Sequence, residues 1–120
     1  LMAGIERHAL AEGGSLQVTN QTASAYDDVD VVYAKSWGGK QFYGQAESDI
    51  EYRSSLREEW IVNEAKMART PDAIFMHCLP VRRNVIVTDG VIDSSSSVVI
   101  DEAENRLHIQ KAILTELVKG

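Results

Sequence analysis

The side chains able to do chemistry in this chain gather most densely at His77-Cys78-Leu79-Pro80, with the pair Arg82-Arg83 just beyond. Cys78 supplies a thiol that is a nucleophile once ionised, and His77 a ring able to take a proton. Neighbours along a strand point to opposite faces, so these two make a poor nucleophile–base pair. The alternative for Cys78 is ordinary packing in an apolar interior. Leu79-Pro80 offers different chemistry. A cis peptide is inexpensive only before proline, and one here would turn the carbonyls of Cys78 and Leu79 into a crevice as acceptors for an amine or amide. Arg82 and Arg83 form either a solvated surface pair or a clamp for carboxylate or phosphate, which guanidinium binds bidentately.

Two smaller clusters join this one. Lys35-Ser36-Trp37 holds a lysine that is either exposed and idle or turned to a ligand, and a tryptophan better suited to packing than to binding. Asp101-Glu102 with Asn105-Arg106 opens the last helical pattern. The acidic residues there offset the helix dipole, whereas Arg106, placed in the first turn, opposes it. That cost is easier to understand if the guanidinium serves a ligand.

The elements that must position these clusters follow from the periodicity. Ile5 to Glu12 reads as the end of a helix stopped by Gly13-Gly14. Ser15 to Thr19 alternates as a short strand. Thr22 to Asp28 holds one helical turn, and Asp30 to Ala34 is a buried, β-branched strand. Gly38 to Ser48 has loop character. Ile50 to Arg69 is helical, with Asn63 able to cap a second helix from Glu64 to Ala68. Thr70-Pro71-Asp72 is a turn, and Ala73 to Met76 has the length and bounds of a buried strand. Thr88 to Asp93 makes a short helix and Ser94 to Ser97 a polar loop. Val98 to Ile100 reads as another strand, followed by a helix to about Val118 with Asp101 as cap and Glu104 completing a capping box. Ile109, Ile113 and Leu117, spaced by four, give that helix an apolar face.

Strands and helices alternating in this way define an α/β domain with a mostly parallel sheet flanked by helices. All three polar clusters fall just after strands. Parallel strands bring them to one edge of the sheet, where α/β proteins collect ligands.

Composition sets the outer bounds. At 120 residues the chain is one domain at most, and 44% hydrophobic with 25% charged residues is ordinary for a globular protein. A net charge of −6 disfavours nucleic acid, which needs a basic stripe. No apolar run approaches the ~20 residues of a membrane span, and Leu1 to Leu10 lacks the sustained apolar core of a signal peptide. The single cysteine excludes an internal disulfide and suits a reducing cytoplasm. His8 and His108 look like surface residues, and no histidine pair has metal-site spacing. The chain opens directly into a helical pattern, as though an element were already under way, which leads us to expect a piece of something longer.

FMHCLPVRRN (Phe75 to Asn84), YAKSW (Tyr33 to Trp37) and DEAENR (Asp101 to Arg106), in this order, resemble the aspartate/ornithine transcarbamylase family. The similarity runs along essentially the whole chain. Within the family these motifs resemble one branch, the N-acetylornithine and N-succinylornithine carbamoyltransferases of bacterial arginine biosynthesis. The resemblance implies a Rossmann-like fold, namely the C-terminal part of the amino-substrate (ornithine-binding) second domain, which is knotted in that branch. The carbamoyl-phosphate domain, with its serine, threonine and arginine motif, has no counterpart here, so the chain by itself is expected to be inactive. It also implies a cytoplasmic homotrimer acting on carbamoyl phosphate and an N-acylornithine, without cofactor, metal, nucleic acid or membrane. Carried over by position, Cys78 and Leu79 contact carbamoyl phosphate and the incoming amine, and Arg106 holds the carbamoyl oxygen. Lys35 meets the α-carboxylate and Arg82 organises the acyl-recognition region, with His77 and Pro80 completing the substrate-binding set. Catalysis falls to Cys78 and Arg106. One departure stands out. Some acetylornithine enzymes carry a lysine, reported as carboxylated, at the position of Ile86. Isoleucine there is more like the succinylornithine enzymes, whereas DEAENRLH is more like the acetylornithine ones. Transfer to N-acetylornithine is the leading expectation, then N-succinylornithine, then ornithine, with a non-catalytic binding module as the rival of another class.

Overall fold

A computed structural model describes residues 2–37 and 40–119. Helix α1 (Met2–Ala11) ends as the glycines require. Gly13 adopts φ +76°, and the amide of Gly14 reaches back to the Ala9 carbonyl at 2.8 Å, the Schellman closure that glycine permits without a Cβ clash. A 3-10 turn (Ser24–Tyr26) leads to strand β1 (Val31–Tyr33). A second 3-10 turn (Lys40–Phe42) precedes α2 (Ala46–Trp60). Asn63 then caps α3 (Glu64–Met67), its side chain accepting from the Lys66 amide at 3.0 Å. Strand β2 (Ile74–Met76), α4 (Asp89–Ile92) and α5 (Val99–Lys119) complete the order.

β1 and β2 pair in parallel, Val31 with Ile74, Val32 with Phe75 and Tyr33 with Met76. Parallel partners need a crossover, and α2 with α3 supplies it. The core forms where the sheet meets the last third of the chain. Val32, Val62, Ala73, Phe75, Ile86, Val87, Val91, Ile92 and Val99 make one buried cluster, with Phe75 and Val87 fully enclosed. The β-branched and aromatic residues of the strand pattern thus do the packing that their shape favours.

Two expected strands are absent from the described residues. Ser15 to Thr19 is irregular, and its Val18 is 74% exposed. Its alternation finds no neighbouring ladder, and an unpaired strand is not stable. At Val98 to Ile100 the chain makes one parallel bridge, Ser97 with Phe75, and turns directly into helix at Val99. Asp101 therefore lies inside α5 and is not its cap, and Arg106 sits about two turns in, past the reach of the dipole argument. Gly38 and Gly39, assigned to a loop from the sequence, lie outside the described residues.

α5 projects from this body. Leu107, Ile109, Ile113, Leu114 and Leu117 are between 54% and 73% exposed. The radius of gyration, 17.4 Å, exceeds the ~13.6 Å expected of a compact chain this long. Among the described residues no helix is long and apolar enough to cross a membrane.

Candidate active site at the strand ends

The register sets the site. Tyr33 pairs with Met76, and the Ala34 amide continues the ladder to the Met76 carbonyl at 3.0 Å. Counting on by the same step sets Lys35 opposite Cys78, each two residues past the last rung, and side chains two apart share a face. Lys35 Nζ accordingly lies 3.0 Å from Cys78 Sγ. This contact, first, and the nearby Tyr33 hydroxyl hold the thiol below its ordinary pKa, against partial burial and the Glu102 carboxylate, which push it up. A thiol so held is poised as a hydrogen-bonding or anionic group at the crevice.

Tyr33, also at the strand end, donates its hydroxyl to Glu102 Oε1 at 2.7 Å, and that bond pushes the phenol up to about 12. The link ties β1 to α5. Glu102 and Arg106 stand one turn apart on α5 and line one shallow groove of about 280 Å³ with Asn105 and Ile109. Arg106 is exposed and makes no hydrogen bond or ion pair among the described residues. The helix that carries the guanidinium is therefore anchored beside Lys35 and Cys78. Behind Lys35 lies a second cavity, of about 350 Å³, walled by Tyr26, Trp37, Trp60 and Ile86. Ile86 is 2% exposed and belongs to the core.

Past Cys78 the backbone turns sharply. Leu79 takes φ +40°, a left-handed conformation that costs a branched residue ~1–2 kcal/mol, and the Leu79-Pro80 peptide is cis. The Leu79 amide is satisfied within the turn, donating to His77 Nδ1 at 3.0 Å. His77 itself is 1% exposed. Burial, then the Lys35 charge, lowers its pKa, with Glu102 opposing. The expected substrate-contact set thus divides: Lys35 and Cys78 touch past the strand ends, Leu79 packs against the core, and His77 is buried.

The two arginines divide as well. Arg83 is taken up by α4, bonding Asp93 through both nitrogens at 2.6 Å and Asp89 at 2.9 Å. Asn84, at φ +57°, bonds Asp89 with both ends of its amide at 2.8 and 3.2 Å. The Arg83-Asn84 half of the motif is a brace for the loop. Arg82 is exposed and has no side-chain partner among the described residues. Sequence reasoning missed Tyr33 and Glu102; the tyrosine directly before Ala34-Lys35 and the acid one turn before Arg106 were the available signals. No group of acidic, histidine or cysteine side chains among the described residues could hold a metal ion.

Residues 1–117 match the family model of the aspartate/ornithine carbamoyltransferase Asp/Orn-binding domain, and the chain belongs to that family. N-acetylornithine carbamoyltransferase of Xanthomonas campestris pv. campestris (strain ATCC 33913) is 55% identical over 106 residues, 88% of this chain and 31% of that protein. Ornithine carbamoyltransferase of Pyrococcus abyssi is 45% identical over 117 residues, 96% of this chain and 35% of that protein. The crystal structure of acetylornithine transcarbamylase complexed with acetylcitrulline superposes with a TM-score of 0.84 at 50% identity, covering 97% of this chain and 34% of that one. The chain thus spans about a third of the length of the curated relatives it matches.

Proposed function

We propose that this chain is the C-terminal part of the amino-substrate domain of a carbamoyltransferase that converts N-acetylornithine and carbamoyl phosphate to N-acetylcitrulline and phosphate. One observation carries the reading: in a chain so similar to N-acetylornithine carbamoyltransferase, Lys35, Cys78 and the Leu79 turn converge at one sheet edge, with α5 and its Arg106 tied to that edge.

The chemistry follows from the groups. The δ-amine of the acceptor attacks the carbamoyl carbon, an oxyanion forms, the bond to phosphate breaks and the amine gives up its proton. Arg106 stabilises the developing charge, the kind of contact that contributes most to such transfers. Cys78 and the carbonyls of Cys78 and Leu79 hold the reacting amine in line, a matter of positioning and not covalent catalysis. Lys35 leaves the thiol to meet the α-carboxylate, and Arg82 serves the acyl end. A carbamoyl-phosphate domain, a homotrimeric cytoplasmic enzyme and the knotted second domain belong to the same reading, supported by family membership.

A chimera tests it. Residues 1–120 replace the corresponding third of the Xanthomonas campestris enzyme, and carbamoyl phosphate is supplied with N-acetylornithine, N-succinylornithine or ornithine. The expected result is N-acetylcitrulline as the dominant product, with no turnover by the 120-residue chain alone. A folded chimera that makes only citrulline, only the succinyl product or nothing overturns the assignment.

A further inference from the structure

Among the described residues, His77 is the one buried titratable side chain at the site to which the transfer chemistry gives no task. Its ring is enclosed, 1% exposed, so it cannot touch a substrate in this arrangement. Yet it is not inert filling. Nδ1 accepts the amide of Leu79 at 3.0 Å, and Leu79 is the residue forced to φ +40° at the tip of the turn. A ring nitrogen that accepts carries no proton, so the neutral ring must carry its proton on Nε2. That Nε2 is buried and finds no acceptor among the described residues. The ring is therefore held from one side only, through the nitrogen that faces the turn. A histidine kept merely for volume has no reason to leave one nitrogen unpaired in the core while spending the other on a backbone amide.

We infer that His77 is a positioning residue: as the neutral Nε2–H tautomer it holds the Leu79 amide through Nδ1, and so aims the Cys78 and Leu79 backbone at the crevice. The inference deepens the carbamoyl-transfer reading and rests on it only for the consequence in turnover. The groups that face the ring are Lys35 from the end of β1 and Glu102 from α5. A proton added at Nδ1 would break the bond to Leu79, and the Lys35 charge disfavours it.

Two substitutions of like polarity separate positioning from packing. His77→Asn sets an amide oxygen near the place of Nδ1, whereas His77→Gln sets it near Nε2. In the chimera described above, Asn is expected to keep most of the turnover. Gln is expected to lower kcat by ~10–100-fold, the scale for a small misplacement of reacting groups, with KM for carbamoyl phosphate little changed. Equal activity of the two variants, or a more active Gln, overturns the inference. A second measurement does not depend on activity or on either variant folding. Long-range proton–nitrogen correlation in the unsubstituted 120-residue chain should show a neutral ring protonated at Nε2, and the Leu79 amide should exchange slowly. A proton on Nδ1, or a rapidly exchanging Leu79 amide, rejects the role of His77. An inactive chimera with the expected spectrum rejects the carbamoyl-transfer reading and leaves the tautomer assignment standing.

Discussion

Thr70→Val removes a single buried hydroxyl that sets the two strands level with each other. Thr70 is 4% exposed and donates its side chain to the Val29 carbonyl at the entrance of β1. Its own carbonyl accepts from Ala73 at 3.1 Å, and the Ile74 amide crosses to Asp30 at 3.0 Å. Valine keeps the shape and leaves a partly buried carbonyl without its donor, a loss of ~1–3 kcal/mol. With an unfolding entropy of ~2.1 cal/mol/K per residue, a chain of 120 residues loses about 4 °C in Tm per kcal/mol, so Tm should fall ~4–12 °C. Thr70→Ser keeps the hydroxyl and loses one methyl, about 0.8 kcal/mol or ~3 °C. Thermal unfolding followed by far-UV circular dichroism ranks the three proteins. A valine variant as stable as the parent, or a serine variant less stable than the valine one, would refute the claim that the hydroxyl bond, and not the methyl, holds this corner.

Lys35→Met should raise the Cys78 thiol toward its ordinary pKa, because the lysine contact is the first cause of its lowering. Alkylation by iodoacetamide at neutral pH should slow and its pH profile move to higher pH; an unchanged profile counts against the pairing. In the chimera, Arg106→Ala should lower turnover by ~100–1000-fold while the protein still folds, and near-native turnover would remove Arg106 from catalysis. Arg83 holds the carboxyls of Asp89 and Asp93 below the ordinary value of 3.8. A lowered carboxylate stabilises the fold above its unfolded pKa, and that contribution disappears as pH falls through the folded value. Arg83→Gln should therefore be less stable than the parent near neutrality and lose less below about pH 3.8, as urea unfolding at several pH values will show.

The elements that sequence made legible are those with a local cause. Gly13 and Asn63 end and begin helices through bonds to their own neighbours, and both stand where the pattern put them. β1 and β2 declared themselves as short apolar runs, although only Val32 and Phe75 are buried and the alternate positions Val31, Tyr33 and Ile74 stay exposed. Ser15 to Thr19 failed because alternation states a preference for a ladder, and only the rest of the chain can supply the partner. At Val98 to Ile100 the same residues that suit a strand begin a helix, since a single bridge to Phe75 satisfies the sheet edge. Within the site, residue types pointed to Lys35, Cys78 and Arg106, and the motif resemblance singled out Arg82. The separate fates of Arg82 and Arg83 depend on acids six and ten positions beyond Arg83. The role of His77 depends on a turn whose shape no spacing reveals.

The Lys35–Cys78 contact is a product of counting rungs, and this has a consequence for how the molecule can vary. What lies between the two residues, including the 3-10 turn at Lys40–Phe42, α2 and α3, does not enter the count. That crossover can lengthen, shorten or exchange its helices, and the amine will still meet the sulfur, provided each strand keeps its two-residue overhang past the final rung. Loss of one residue on either overhang, at Ala34 or at His77, would instead send the partner to the opposite side of the sheet. Tolerance to insertion and sensitivity to a one-residue deletion thus sit side by side in the same chain.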